Sequence, residues 1–167
     1  MLYLISLSLI YATAYLTLFF GVPVFFNAPR PHIRRRSVFS IVGIVVLYFA
    51  ILSISLSITA SHPELGNRIL HGVGGGALVV LTCFFAIKDS AFRIKFFQFF
   101  VIGILVATFL GVGNEIAEFI LQHYFAIISA ESINDTWLDL VSNAVGATLA
   151  ALCLSPFFRL YKTPRSS

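Results

Sequence analysis

The sequence predicts an all-α polytopic transmembrane bundle of about five spans, with the N-terminus outside and the C-terminus inside. Three observations predict it. Of the 167 residues, 59% are hydrophobic and 11% are charged, against roughly 45–50% and 25% in a soluble globular domain. Five stretches are long and apolar enough to cross a hydrocarbon layer about 30 Å thick, which takes roughly 20 helical residues. Ten of the eleven Lys and Arg residues gather in the loops of one side. This composition excludes an ordinary soluble protein. It also excludes nucleic-acid binding, because the net charge of +4 sits in short loops between apolar runs and reads as a topology signal.

The first span, Leu2 to Phe26, has no basic segment before its apolar stretch and no A-x-A-like site after it, so it reads as a true span and not as a cleaved signal peptide. The loop Asn27 to Arg36 combines prolines with Arg30, Arg34, Arg35 and Arg36. It is a topology anchor, with attraction to anionic lipid as the alternative. The second span runs from Val38 to Ala60, the third from Ile69 to Ile87, the fourth from Phe96 to about Phe125 and the fifth from Trp137 to Phe158. The tail Tyr161 to Ser167 is polar. No linker or repeat divides the chain, so residues 1–167 form a single transmembrane helical domain. Cys83 and Cys153 lie in separate apolar runs without ligand-like spacing and read as small packing residues.

Orientation follows from the charges. Lys88, Arg93 and Lys95 occupy the third loop, and Arg159, Lys162 and Arg165 follow the last span. Together with the first-loop arginines they mark the cytoplasmic side, leaving Arg68 as the lone outer base. The acids run the other way. Glu64, Glu115, Glu118, Glu131, Asp135 and Asp139 fall in outer loops or at the outer ends of spans, and Asp89 is the sole cytoplasmic acid.

Three spans carry residues that lipid does not accommodate. At 1.5 Å per residue, His71 lies roughly 26 Å from Lys88, while Glu115 and Asp139 lie roughly 30 Å from Lys95 and Arg159. The three therefore share one depth near the outer edge of the hydrocarbon. Glu115, Glu118 and Gln122 form one stripe on the fourth span; Asp135, Asp139, Asn143 and Gly146 form another on the fifth. Since an acid in hydrocarbon costs roughly 2.5–3.5 kcal/mol, the stripes should face each other and His71. Gly72, Gly74, Gly75, Gly76, Gly111, Gly113 and the Ala144–Ala150 region allow the close approach.

Plainer readings accompany each residue. Asn134 or Asp135 can be a helix N-cap, Asp139 a first-turn acid favoured by the helix dipole, and Asn143 an interhelical hydrogen-bonding residue. Glu115 and Glu118 can be water-exposed if the fourth helix runs beyond the membrane, and His71 alone would be an interior histidine. His62 and Glu64 read as loop surface; His123, Tyr124 and Trp137 read as an interfacial belt.

Three segments carry a resemblance: RILHGVGGGAL, in which His71 opens a span; GNEIAEFILQ, with Glu115 as the membrane acid and Glu118 or Gln122 downstream; and DTWLDLVSNAVGATLA, with Asp139, Asn143 and Gly146 in D-x-x-x-N-x-x-G order. Over about residues 67–152 the sequence resembles the VanZ-like family of small bacterial integral membrane proteins. It departs from that pattern at Asn67, where an acid is common, in the arginine-free segment Ala126 to Asp135, and at Ala150, where a glycine is usual. The resemblance implies a multi-pass protein of the bacterial plasma membrane and cell envelope, and the family's namesake is linked to resistance to the glycopeptide teicoplanin. It implies no particular reaction, so function rests on the site.

The site permits three functions. In the first, an acidic/His pocket formed by His71, Glu115, Glu118, Asp135, Asp139 and Asn143 binds a cationic or hydrogen-bond-donating group on a membrane lipid or lipid-linked envelope precursor. In the second, His71, Glu115, Glu118 and Asp139 hold a divalent metal for an intramembrane enzyme acting on a lipid headgroup, although no H-E-x-x-H motif is present. In the third, the buried acids serve a proton-coupled transporter. The cytoplasmic halves of these spans lack charged residues, which weighs against a path across the membrane.

Overall fold

The computed structural model describes residues 2–125 and 133–158, with side chains from Leu9 onward. Among them there is no strand. Five helices follow in order: α1 (Leu2–Phe25), α2 (Arg35–Thr59), α3 (Pro63–Asp89), α4 (Phe96–Phe125) and α5 (Ile133–Phe158). By length and composition α2 to α5 can each cross a membrane, and the described side chains of α1 form a shorter apolar helix, Leu9–Phe25. The chain is thus all-helical and compatible with a multi-pass membrane protein. Its surface agrees: Leu105, Phe109, Phe119, Val145 and Leu149 stand exposed on the outside, the pattern of a protein whose outer solvent is apolar. Arg159, Lys162, Arg165, Glu131 and the polar tail lie outside the described residues.

α3 is central and packs against each of the other four helices. Its residues Val80, Cys83, Ala86 and Ile87 are completely buried, as are Phe19 of α1 and Phe99 of α4. At the basic end of the bundle the Tyr15 hydroxyl donates to Asp89 Oδ2 at 2.7 Å and Arg36 Nε lies 2.8 Å from Asp89 Oδ1, joining α1, α2 and α3. Lys88 Nζ donates to the Phe157 carbonyl at 3.0 Å and sits 4.6 Å from the Phe158 ring centroid, joining α3 to α5.

The turns explain where the helices end. Asn27 has φ 53°; its N–H bonds the Val24 carbonyl and that of Ala28 bonds the Pro23 carbonyl, a Schellman close in which asparagine tolerates the left-handed conformation. Ala91, at φ 56°, closes α3 in the same conformation without that tolerance.

Two helices begin earlier than the apolar spans do. α3 starts at Pro63, ahead of the expected Ile69, because proline suits the first helical position and Glu64 suits the first turn. Glu64 and Arg68 are therefore helical residues, not loop residues. α5 starts at Ile133, ahead of the expected Trp137. Asn134 and Asp135 then lie inside the helix, which removes their N-cap reading, and Asp139 falls in the second turn, which removes its first-turn reading.

Candidate functional site

The acidic end of the bundle is built on a seam between α3 and α5. Residues Leu70–Leu78 of α3, LHGVGGGAL, form a π-helical segment; glycine enforces α geometry weakly, and such segments are often found at functional sites. The glycines let the two backbones touch. A Cβ on Gly146 would collide with the Gly72 carbonyl oxygen, and one on Gly76 with the Asn143 carbonyl oxygen. This close approach fixes the register in which α3 presents Asn67, Arg68 and His71 to Asp135, Asp139 and Asn143 of α5.

Arg68 is the hub of the polar contacts. Its Nη2 lies 2.7 Å from Asp135 Oδ1, and its Nη1 pairs with Asp139 Oδ1. Asn67 Nδ2 donates to the same Asp139 oxygen at 3.0 Å. The other oxygen, Asp139 Oδ2, faces His71 Nε2 at 3.4 Å. Glu115 on α4 completes the group: one ligand atom from each of His71, Glu115 and Asp139 lies within 4.8 Å of the others. Glu115 is buried and its Oε1 accepts no hydrogen bond within the described protein.

Glu118 takes a separate role. It accepts a hydrogen bond from Asn114 Nδ2 at 2.7 Å and, with His71, Asn114 and Asn143, contributes polar lining to a cavity of about 310 Å³. Asn143 is buried, and its Oδ1 lies against Gly75 and accepts no hydrogen bond from the described residues. Ile10, Phe109 and Leu110 contribute apolar lining to the same cavity. These three residues also line an apolar groove of about 600 Å³ between α1 and α4, together with Leu9, Ala14 and Leu105. Among the described residues no Cα of α1 comes within 8 Å of one of α4, so the groove runs along an open gap at the exposed apolar surface.

All six candidate residues are therefore at this end, in three subgroups. His71, Glu115 and Asp139 converge; Asp135 pairs with Arg68; Glu118 and Asn143 line the cavity. Gln122, on the same stripe as Glu115, is exposed and takes no part. His62, Glu64, His123, Tyr124 and Trp137 are exposed as well. Sequence reasoning missed Asn67, Arg68 and Asn114. The signal for Arg68 was present: it stands three residues before His71, one helical turn away, on the side where acids lack counter-charges. Asn114 stands four residues before Glu118, a spacing at which side chains meet.

In comparison with known proteins, the chain matches no family model, no curated protein and no solved structure.

Proposed function

We propose that the chain is a five-span protein of the bacterial plasma membrane, VanZ-like in type, with its N-terminus outside, whose outer cavity binds an amphiphile of the cell envelope. The one-sided distribution of bases supports the orientation, and the three motif segments support the family. The adjacency of the cavity and the groove, which share Ile10, Phe109 and Leu110 in their linings, carries the binding reading. A cavity lined by Glu118, His71, Asn114 and Asn143 suits a headgroup that donates hydrogen bonds, and the apolar groove that shares Ile10, Phe109 and Leu110 with it suits an acyl chain. Buried acceptors without a donor among the described residues, such as Asn143 Oδ1, are destabilising until a partner supplies the proton. Voids of this size hold drug-sized ligands.

Native mass spectrometry of the detergent-purified chain tests the reading, with short-chain phosphatidylethanolamine compared with phosphatidylglycerol of the same chain length. The ammonium headgroup should bind at least about tenfold more tightly, equivalent to about 1.4 kcal/mol, and Glu118→Gln should abolish the preference. Equal retention of both lipids, unchanged in Glu118→Gln, would rule the reading out.

A further inference from the structure

We infer that His71, Glu115 and Asp139 form a binding site for a divalent transition-metal ion at the head end of the cavity. The donor atoms of the three side chains already lie within 4.8 Å of one another. The 3.4 Å between His71 Nε2 and Asp139 Oδ2 is long for an N–H···O hydrogen bond, which centres near 2.9–3.0 Å. It equals the edge of a tetrahedron whose metal–ligand distances are about 2.1 Å.

Two further observations point to a cation. Glu115 is 9% exposed, and its Oε1 accepts no hydrogen bond within the described protein. Buried carboxylate oxygens in this state are rare unless an ion or water completes them. Asp139, for its part, is held from behind: Asn67 and Arg68 bind its Oδ1, leaving Oδ2 turned toward His71. Such outer partners are the usual way a ligating carboxylate is oriented. A dication there would be met by the carboxylates of Glu115 and Asp139, while Arg68 also pairs with Asp135.

One imidazole and two carboxylates suit zinc, manganese or ferrous iron better than calcium, which prefers six or more oxygens. Three protein ligands leave a coordination position free. His71 belongs both to this group and to the cavity wall. On the amphiphile reading of the cavity, a headgroup oxyanion can occupy that position; the metal site itself does not depend on it.

The test uses the full chain, purified in detergent, loaded with Zn²⁺ or Mn²⁺ alone, desalted and analysed for metal. The parent should hold roughly one ion per chain. His71→Asn and Glu115→Gln should weaken retention by at least about tenfold, while the exposed neighbour Glu64→Gln retains it. Glu115→Gln keeps the Asp139 contacts intact, so its loss of metal cannot come from a broken Arg68 pair. Cobalt loading supplies a second readout, a visible absorption band of tetrahedral Co²⁺ that vanishes in the two variants. A parent that takes up no ion overturns the inference, as does full retention by both variants. Lipid binding without metal uptake would leave the cavity reading standing and remove this one; metal uptake without lipid binding would do the reverse.

Discussion

The Arg68 guanidinium spans two carboxylates one helical turn apart on α5, with Nη2 on Asp135 and Nη1 on Asp139. The Asp139 side chain is only 3% exposed, whereas those of Arg68 and Asp135 keep 22%. Removing the arginine thus strands a buried carboxylate, the situation in which a broken pair is expensive. Arg68→Gln should lower unfolding free energy by about 3 kcal/mol. In the double variant Arg68→Gln/Asp139→Asn the losses should be smaller than the sum of the single ones. Chemical denaturation in detergent measures both, and strict additivity would show the pair to be uncoupled.

The α3–α5 seam yields a sharp contrast between glycines. Gly146→Ala drives a methyl group into the Gly72 backbone carbonyl, which cannot move without separating the helices. The expected loss is about 2 kcal/mol, together with weaker metal retention at the site. At Gly43 of α2 nothing lies within 4 Å of a Cβ, so Gly43→Ala should be neutral or stabilising by up to about 1 kcal/mol. Similar unfolding curves for both variants would contradict the backbone contact.

Two tyrosine hydrogen bonds from α1, one toward each end of the bundle, differ in their acceptors. Tyr15 donates to the Asp89 carboxylate at 2.7 Å, and Tyr11 donates to the Gly74 carbonyl at 2.9 Å. Bonds to charged acceptors contribute more than bonds to neutral ones, so Tyr15→Phe should cost about 2 kcal/mol and Tyr11→Phe about 1 kcal/mol. Denaturation midpoints decide this, and equal losses would contradict the stronger bond to the carboxylate.

The left-handed turn residue Ala91 predicts a gain. A side chain at φ 56° carries a penalty of about 1 kcal/mol that glycine avoids, so Ala91→Gly should raise the melting temperature. Asn27→Gly, at a similar φ, should change it less, because asparagine tolerates that conformation. A lowered melting temperature for Ala91→Gly would show that the turn is not strained.

Much of the site was legible because helical rise converts sequence distance into depth. Counting from the basic anchors brought His71, Glu115 and Asp139 to one level, and the i+3/i+4 stripes turned them toward one another. What remained hidden has identifiable causes. Apolar scanning finds where lipid-compatible residues begin, whereas a helix begins where its first turn is favourable; α3 therefore extends back to Pro63 and carries Asn67 and Arg68 into the site. A 3.6-residue period gives no sign of the π-helical Leu70–Leu78 segment. It also placed Gln122 with Glu115, although seven residues, roughly 10 Å along the axis, take it beyond cover by α3 and α5. The gap between α1 and α4 is a feature of helices distant in sequence, for which neighbour rules carry no information.

Photo-crosslinking tests the amphiphile site most directly. A phosphatidylethanolamine bearing a diazirine in its acyl chain would be equilibrated with the detergent-purified chain and irradiated, and the labelled peptides mapped. Label should concentrate on the two walls of the groove, around Leu9, Ala14, Leu105 and Phe109, and fall sharply when Glu118→Gln weakens the head contact. Label spread evenly over the lipid-facing sides of α2 and α5 as well, with no response to Glu118→Gln, would contradict a site shared by cavity and groove.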